Sequence, residues 1–403
     1  MALSHSPKTV TDGLVFMYDT GNKKSYVGEP TTNLLNYTTE FNSWTAAKNS
    51  GTTPTVTADT SVNPLGFANE PMADKVYLPD DGTYPRVQQY FTPSSTSTHT
   101  FSVWIRSISG NCDCFLGAFR NSPWSLPGSS VKSITGEWQR FTFSWTPPDT
   151  TTHVIYMGSH DTAAQKGNTL EFWGAQMEAK SHTTQFVNGT RSATAGLIDR
   201  TGNSTIDLSP ASYDSNAQIT FDGTDDYITL GSDSVLQNIG SHATIECWFK
   251  SSAAGAKFAL MVGWGDGTSY YSNFGIGNWY SAQSDESIYV GVNSAAVIYA
   301  ENDGSTKYHD GNWHHAVALI GHNNHKIYVD GSEVSVSFPY GSNTVSTSKL
   351  FGFTSGTEVY IGLRPYGNGH FQGELPVVKI YDRLLSDDEI LQNYNATKSR
   401  FGL

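Results

Sequence analysis

The sequence is poor in charged residues, and those present carry an acidic excess. Lys, Arg, Asp and Glu make up 15% of the 403 residues, with 37 acidic and 24 basic side chains and a net charge of -13. A protein that binds a nucleic-acid backbone needs clustered Lys and Arg. Because the chain has no such cluster, we expect no nucleic-acid partner.

Long apolar runs are also missing, and cysteine is rare. No apolar run approaches the roughly 20 residues that cross a bilayer, and the N-terminus lacks the basic and apolar regions of a signal peptide. Cys112 and Cys114 are too close in sequence for an ordinary disulfide, and Cys247 falls on the apolar side of a predicted strand. No second Cys or His pair has the spacing of zinc ligands. These features predict synthesis and folding in a cytosol, without membrane insertion.

Glycine and aromatic residues, in contrast, are plentiful. The chain has 38 Gly, 21 Tyr, 20 Phe and 10 Trp. Apolar and polar residues alternate in residues 100–107 and 137–148, as they do in half-buried strands. This composition and this alternation predict an all-β protein with many turns.

The last third of the chain contains a strong hairpin signal. In KIYVDGSEVSV, apolar residues alternate on both sides of Asp330-Gly331, a dipeptide that tolerates positive φ and suits a type I′ turn. In that register Ile327 faces Val334 on the buried side, whereas Tyr328 and Glu333 point outward.

A helix signal follows the hairpin. Ser386 to Glu389 has the pattern of a capping box, in which the serine hydroxyl accepts from the Glu389 amide and the Glu389 carboxylate reaches back. Ile390, Leu391 and Tyr394 then predict one apolar stripe on a short helix.

These segments also carry a resemblance to a known family. DGNWHHAVA (residues 310–318), KIYVDGSEV and FQGELPVVKIYDRLLSDDEILQNYNATKSRFGL resemble the C-terminal half of the laminin-G/concanavalin A-like domains in structural proteins of tailed bacteriophages. The version that ends in a short basic Arg-Phe-Gly tail is similar to proteins of marine, T4-like cyanophages.

The resemblance implies that this domain is interrupted. GLVFMYD (residues 13–19) is similar to the opening strand of the phage domains, but the strand that should follow it begins only at Ala217. Residues 33–187 resemble, at both borders, an inserted carbohydrate-binding-module-like jelly roll. We therefore predict a concanavalin A-like sandwich made of residues 1–32 and 188–403, with residues 33–187 as a separate lobe. Three consecutive units are the alternative, but residues 1–32 are too few to bury a core.

The implied fold class is all-β, with two antiparallel jelly-roll β-sandwiches and one short C-terminal helix. The implied function is that of a virion surface protein, made in the host bacterial cytoplasm, with a structural or adhesive role and no catalysis. It would be a capsid decoration protein, a fibre tip, or a tail or baseplate appendage. The implied partners are other virion proteins, host cell-surface glycans and further copies of the same chain.

Two alternative functions remain open, a dedicated receptor-binding lectin of the tail fibre and a polysaccharide hydrolase. Family-16-type hydrolases, which have a concanavalin A-like fold, carry their carboxylates at alternate positions of one strand, as in Glu-x-Asp-x-Glu, and the chain has no such run. Glu246 is a lone strand carboxylate, and a strand would send Asp285 and Glu286 to opposite faces. The adjacent His314 and His315 would also diverge, so we interpret them as framework residues.

An acidic turn supplies candidate calcium ligands. Asp222, Asp225 and Asp226 lie within five residues, and hard cations take several oxygen ligands. The alternative is a Gly-containing turn whose aspartates accept from backbone amides, which accounts for each residue without an ion. No cofactor is required, and calcium is the only candidate.

Two aromatic segments, residues 263–281 and 363–373, form the candidate carbohydrate site. Sugar recognition uses flat apolar rings for pyranose C–H faces and polar side chains for the hydroxyls. The alternative is that these aromatics are core residues or subunit contacts. In residues 33–187, Trp124 is the tryptophan expected on a loop, and its role stays open. The candidate sugar-binding residues are Trp264, Tyr270, Tyr271, Trp279, Tyr280, Arg364, Tyr366 and His370.

Overall fold

The structure is a computed structural model, and it describes residues 8–66, 71–252, 259–265, 270–276, 288–293, 297–302, 308–321, 325–340, 357–364 and 369–403. Strands dominate these residues, which confirms the predicted all-β fold class. No helix in the described part of the chain is long and apolar enough to cross a membrane.

The first thirteen described strands reach from the N-terminal region to residue 191. They are β1 (Leu14–Asp19), β2 (Thr31–Thr32), β3 (Thr45–Ala47), β4 (Thr55–Ser61), β5 (Ala73–Leu78), β6 (Arg86–Phe91), β7 (His99–Ser107), β8 (Cys112–Arg120), β9 (Ser125–Ile134), β10 (Gln139–Trp145), β11 (His153–Gly158), β12 (Asn168–Glu178) and β13 (Thr190–Arg191).

The remaining described strands are β14 (Ser212–Tyr213), β15 (Ile219–Asp222), β16 (Ile228–Gly231), β17 (Ala243–Lys250), β18 (Ala259–Gly265), β19 (Tyr270–Ile276), β20 (Ile288–Asn293), β21 (Val297–Asn302), β22 (Trp313–Ile320), β23 (Lys326–Val329), β24 (Ser332–Val334), β25 (Val336–Tyr340), β26 (Glu358–Ile361), β27 (Leu363–Arg364), β28 (Gly369–His370) and β29 (Gln372–Tyr381). The α-helices are α1 (Ser234–Gln237) and α2 (Asp387–Thr397), and short 3-10 helices span Phe41–Ser43, Ala163–Gln165, Ala193–Ala195 and Lys398–Phe401.

The chain divides into two compact units. Unit 1 comprises Met1–Glu29, Ser192–Asp214 and Gln218–Leu403, and unit 2 comprises Pro30–Arg191 and Ser215–Ala217. The sequence predicts an insert of residues 33–187, and the observed segment is a few residues longer at each end. The reason is that β2 and β13 pair with each other, with Thr32 opposite Thr190.

Unit 1 is a sandwich of an eight-stranded and a seven-stranded antiparallel sheet among its described residues. The first sheet has the order β14-β15-β29-β17-β22-β23-β24, with β1 also paired to β29, and the second has the order β16-β26-β18-β19-β20-β21-β25. Tyr18 of β1 lies opposite Val378 of β29. Phe16 and Tyr18 are fully buried in the core of this unit. The strand pairing that an interrupted sandwich requires is therefore present.

Unit 2 is a second sandwich, with two antiparallel sheets of five strands each among its described residues. Their orders are β10-β7-β12-β5-β4 and β3-β6-β11-β8-β9. Fully buried residues such as Val103, Leu116, Ile155 and Phe172 fill the core of this unit.

All three cysteines of the chain are buried and free.

The predicted hairpin of β23 and β24 has the predicted register, with Ile327 opposite Val334. Its two turn residues have positive φ, 51° at Asp330 and 80° at Gly331, as a type I′ turn requires.

The prediction that Tyr328 points outward is wrong. Its side chain is buried in a small cluster that includes Ile390 of α2, so the helix covers this face of the hairpin. The Tyr328 hydroxyl donates to Asp387 at 2.6 Å.

Helix α2 begins with the predicted capping box, since both hydrogen bonds between Ser386 and Glu389 are present. The predicted apolar stripe is narrower than expected. Ile390 is fully buried, but Leu391 is 45% exposed.

A buried polar group connects α2 with the sheet of unit 1. Glu246 on β17 accepts from Lys379 Nζ and from Asn393 Nδ2, each at 2.6 Å, and all three residues are fully buried. Burial opposes ionisation of Glu246, but the combined effect of the adjacent Lys379 and His315 is larger and lowers the pKa of Glu246 to about 2. The burial and the partners of Glu246 are therefore those of a residue that stabilises the fold.

Candidate functional site

In unit 2, the sheet β3-β6-β11-β8-β9 carries apolar side chains on both faces. Neighbouring residues of a strand point to opposite faces, yet Val154, Ile155, Tyr156 and Met157 of β11 are all buried. Ile155 and Met157 belong to the core, whereas Val154 and Tyr156 form a separate cluster with two phenylalanines of β8. The outer face of this sheet is therefore unusually apolar, a feature typical of ligand and partner sites.

The floor of a cleft on this outer face is made by β8 and β11. Phe119 stacks on Tyr156 with ring centroids 5.2 Å apart and planes inclined by 27°, and Phe115 lies 5.3 Å from the same ring. Gly117 separates the two phenylalanines and lies opposite Tyr156. A Cβ atom at Gly117 would lie 2.6 Å from Cε1 of Phe115, so only glycine leaves room for these rings.

Trp124 extends this aromatic stack. It lies in the turn that joins β8 to β9, and its indole stacks on Phe119 at 5.2 Å and 30°. The side chain of Trp124 is nevertheless 69% exposed. One face of the ring packs on protein, and the other is open to a ligand.

Arg86 and Gln88 form a polar wall. They occupy alternate positions of β6 and so share one face of the sheet. The Arg86 guanidinium donates to Gln88 Oε1 at 2.7 Å, to Asn49 Oδ1 at 3.2 Å and to the Tyr84 carbonyl at 3.0 Å. Its central carbon lies 5.2 Å from the centroid of the Tyr156 ring. Four neighbours thus fix the position of the guanidinium.

Tyr84 and His160 complete the lining. Tyr84 has a φ of 54°, a left-handed conformation that costs a non-glycine residue about 1–2 kcal/mol. Its ring lies 5.2 Å from that of His160, which stacks on Phe115 at 4.6 Å. Burial raises the pKa of Tyr156, so its hydroxyl stays protonated and donates to the Ser159 carbonyl.

The cleft encloses about 240 Å³. This volume is below the roughly 300–1,000 Å³ of sites for drug-sized ligands, so the cleft suits a short saccharide segment. None of its described lining residues is Asp or Glu, so they offer no carboxylate for acid–base chemistry. The lining residues are Asn49, Tyr84, Arg86, Gln88, Phe119, Trp124, Val154, Tyr156 and His160.

Of the tryptophans and tyrosines in the predicted site of unit 1, the structure describes the side chain of Trp264. Trp264 lies on β18, is fully buried and donates through Nε1 to the Leu236 carbonyl at 3.3 Å. Its assignment to a sugar site is therefore corrected, because its ring faces the core. Tyr270 and Tyr271 begin β19, which pairs with β18 and β20. The predicted residues outside the described part of the chain are Trp279, Tyr280 and Tyr366.

Arg364 and His370 lie on the two-stranded ribbon of β27 and β28, in neighbouring cross-strand pairs, so their side chains point to opposite faces. Arg364 lies opposite Gly369, and both predicted side chains are half-buried. The His370 ring lies 6.5 Å from that of Tyr227. A sugar-binding role for these two residues stays a prediction.

The acidic turn joins β15 to β16 and brings its three aspartates together. Carboxylate oxygens of Asp222, Asp225 and Asp226 lie within 4.8 Å of one another. The turn also uses them internally, since Asp226 Oδ2 accepts from the Asp222 amide at 2.8 Å and Asp222 Oδ1 accepts from the Thr224 amide at 2.7 Å. The hydrogen bond from the Thr224 amide lowers the pKa of Asp222. Both interpretations fit this geometry, and calcium stays a prediction.

His314 and His315 have separate partners, as neighbours on a strand should. His315 is fully buried with Nε2 3.0 Å from the Glu246 carboxylate. His314 lies 2.9 Å from Asp330 and 3.2 Å from Asp310.

Sequence reasoning missed every cleft residue except Trp124, to which it assigned no role. A usable signal was present in CDCFLGAFR and HVIYMG, the sequences of β8 and β11. In both strands, successive residues are apolar, so both faces of the strand carry apolar side chains. A sandwich strand with a solvated outer face instead alternates apolar and polar residues.

The match to a protein family lies within unit 1. Residues 222–391 match a laminin-G-type family model described as the concanavalin A-like lectin/glucanases superfamily. The match includes neither β1 nor the Pro30–Arg191 segment of unit 2. No curated protein matches the chain.

Among solved structures, the chain is similar to domain 4 of an extracellular arabinanase from Geobacillus stearothermophilus in complex with arabinotriose. The identity is 12% over 50% of this chain and 93% of that one, with a TM-score of 0.34. It is also similar to the binding domain of Paraclostridial mosquitocidal protein 1, with 12% identity, a TM-score of 0.38, and 50% and 49% of the two chains covered.

A third similar structure is the carbohydrate-binding module of the Ruminococcus gnavus IT-sialidase bound to α2,3-sialyllactose. Identity is 14% over 40% of this chain and 84% of that one, with a TM-score of 0.30. At these values the likeness carries no conclusion about this chain. The match to the family model indicates a concanavalin A-like lectin/glucanase fold for residues 222–391.

Proposed function

We propose that the protein is a non-enzymatic surface protein of a tailed-phage virion that binds carbohydrate through the cleft of unit 2. The observation that carries the binding part is Trp124, 69% exposed and stacked on Phe119 at the edge of a cleft with a polar wall. The virion part rests on the resemblance of the C-terminal segments to phage structural proteins.

The exposure of Trp124 supports a ligand site. Burial of apolar surface stabilises a fold by about 25 cal/mol per Å². Most of the Trp124 side chain stays exposed and does not contribute to stability in this way. Its partner Phe119 is only 2% exposed, so the indole rests on a fixed support. A rigid, flat and half-open ring is well suited to the C–H face of a sugar.

The polar wall would provide hydrogen bonds to sugar hydroxyls. Asn49 and Gln88 both accept from Arg86 through their side-chain oxygens, which leaves their amide nitrogens as donors. The Gln88 nitrogen reaches Tyr90 Oη only at 3.5 Å, a weak bond that a ligand hydroxyl could replace. Stacking and directional donors in one cleft together give affinity and orientation.

The composition of the cleft lining and the burial of Glu246 support a non-enzymatic role. The described lining of the cleft contains no Asp or Glu. In unit 1, the strand carboxylate Glu246 is fully buried and ion-paired with Lys379 at 2.6 Å, so it is not exposed to a substrate. Asp285 and Glu286 lie outside the described residues.

Small clefts of this kind bind weakly one at a time. On a particle surface, many copies would act together and raise the overall affinity by about 10²–10⁴. This property suits an adhesive protein, whether it decorates the capsid or belongs to a fibre or tail appendage.

Binding is tested with a glycan array and calorimetric titration of the full chain. We expect Trp124→Ala to weaken binding at least about tenfold, because the stacking surface is lost. Tyr77→Ala is the matched control, since Tyr77 is 40% exposed on β5 of the other sheet. Equal binding by both variants would contradict the cleft assignment. Mass spectrometry of purified phage particles tests the virion part, which is wrong if the chain is produced in infected cells but missing from the particles.

A further inference from the structure

The cleft contains a cation that no described acid neutralises. The partners of the Arg86 guanidinium are two side-chain amide oxygens and one backbone carbonyl, all of them neutral. Its fourth neighbour is the ring of Tyr156, which is buried and uncharged. Among the described residues, the Nη2 amino group of Arg86 has no hydrogen-bond acceptor.

Two other arginines of the same unit have carboxylate partners. Arg106 pairs with Glu171 at 2.6 Å, and Arg120 pairs with Asp149. An acidic protein with a net charge of -13 has many carboxylates to place beside a cation. Arg86 differs from these two arginines, because its described partners in the cleft are neutral.

We propose that the cleft selects an anionic saccharide, in which a carboxylate or a sulfate ester pairs with Arg86 while a sugar ring stacks on Trp124. This inference rests on the proposed function and names the ligand class of the same site. The guanidinium is always charged, and hydrogen bonds from such a charged donor to an oxyanion are about twice as strong as neutral ones.

The surroundings of Arg86 fix it before a ligand arrives. Gln88 holds Nε, whereas Asn49 and the Tyr84 carbonyl hold Nη1, which leaves Nη2 as the amino group for the ligand. Little side-chain entropy is then lost on binding. Tyr84, whose carbonyl accepts from Nη1, has a φ of 54°. This is a strained conformation of the kind often found at binding sites.

A purely structural role for Arg86 would be to cover the Tyr156 ring and cross-link β6 to the neighbouring loop. Loss of that role would lower thermal stability and weaken binding of all sugars to a similar degree. The ratio of affinities for anionic and neutral saccharides separates the two roles, because only a direct pair with the anion changes it.

The test uses the full chain and matched saccharide pairs. Uronate oligosaccharides are compared with their methyl esters, and sulfated oligosaccharides with their desulfated forms, by array and then by calorimetry. The two series show whether a carboxylate or a sulfate is the preferred anion. Arg86→Gln removes the charge, Arg86→Lys keeps the charge but loses the hydrogen bonds that position the guanidinium, and Tyr77→Ala is the control.

We expect the wild-type protein to bind one anionic series at least about tenfold more tightly than its neutral counterparts. Arg86→Gln should abolish that preference, Arg86→Lys should restore part of it, and about 0.5 M salt should reduce it. The inference is overturned if the wild-type protein binds anionic and neutral saccharides with equal affinity. If Trp124→Ala then loses binding to both kinds of saccharide, the proposed function still stands. Absence of binding to every saccharide overturns both.

Discussion

At the scale of single residues, Trp124 and Trp264 show why aromatic residues alone do not locate a site. Both lie near glycine and serine in the sequence. Trp264 is fully buried because it sits on β18, between β26 and β19, and faces the core. Trp124 sits in a turn and is exposed. Strand register separates the two, and register depends on pairing with distant residues.

Gly117 is the residue on which the shape of the cleft depends most. We expect Gly117→Ala to destabilise the protein by about 1–3 kcal/mol, because the new methyl group collides with Phe115 and Phe119 and forces the rings apart. The same displacement should move the support of Trp124 and weaken saccharide binding. Thermal unfolding and calorimetric titration measure the two effects.

Gly136→Ala is the matched control. A Cβ atom there meets nothing closer than the Ser107 carbonyl, at 3.8 Å. Its stability and binding should stay near those of the wild type. If Gly117→Ala behaves like Gly136→Ala, the aromatic floor is not packed as described.

At the scale of elements, the features that sequence predicts are those set by neighbours along the chain. The turn at Asp330-Gly331 needs two residues that tolerate positive φ, and the capping box needs Ser386 and Glu389 at the correct spacing. Both are present. The cleft, in contrast, depends on three paired strands, with Tyr156 of β11 between Gln88 of β6 and Gly117 of β8. No local pattern encodes that pairing.

Glu246 connects β17, β29 and α2, so its replacement should lower the stability of unit 1 as a whole. We expect Glu246→Gln to cost about 3–5 kcal/mol, because Lys379 becomes a buried cation without a counter-ion. Glu333→Gln is the control. Its partner Lys326 lies 2.8 Å away at the surface, where such pairs contribute less than about 1 kcal/mol. Chemical denaturation of the two variants gives both values.

The same carboxylate makes stability depend on pH. Its pKa is about 2 in the folded protein against the ordinary value of 4.5, so the ionised form favours folding above pH 4.5. This contribution should be lost as the pH falls from 4.5 towards 2. The wild-type protein should therefore lose more stability than Glu246→Gln over that range. Parallel curves for the two proteins would show that Glu246 does not titrate in this way.

At the scale of the whole molecule, the chain is one sandwich interrupted by another. β1 pairs with β29 although the two are more than 350 residues apart, and Arg400 pairs with Asp19 at the end of β1. Phe401 stacks on Trp248 at 4.1 Å, so the C-terminal tail also packs within unit 1. A single strand at the N-terminus cannot bury a core by itself, so β1 needs a pairing partner elsewhere in the chain.

This organisation predicts that residues 30–191 fold when expressed alone. The segment contains both sheets of unit 2 among its described residues, and β2 and β13 pair next to its two ends. We expect a β-sheet circular dichroism spectrum and one cooperative unfolding transition. A segment that stays unfolded in isolation would show that unit 2 depends on the rest of the chain.

The central claim, that the cleft of unit 2 binds carbohydrate, is tested most directly by titrating the folded 30–191 segment and the full chain with the same saccharide. The account predicts the same affinity for both, within about a factor of three, since a difference of that size is less than 1 kcal/mol. It also predicts loss of binding in both when Trp124 is replaced by alanine. Binding by the full chain but not by the folded segment would contradict the claim and assign the site to unit 1.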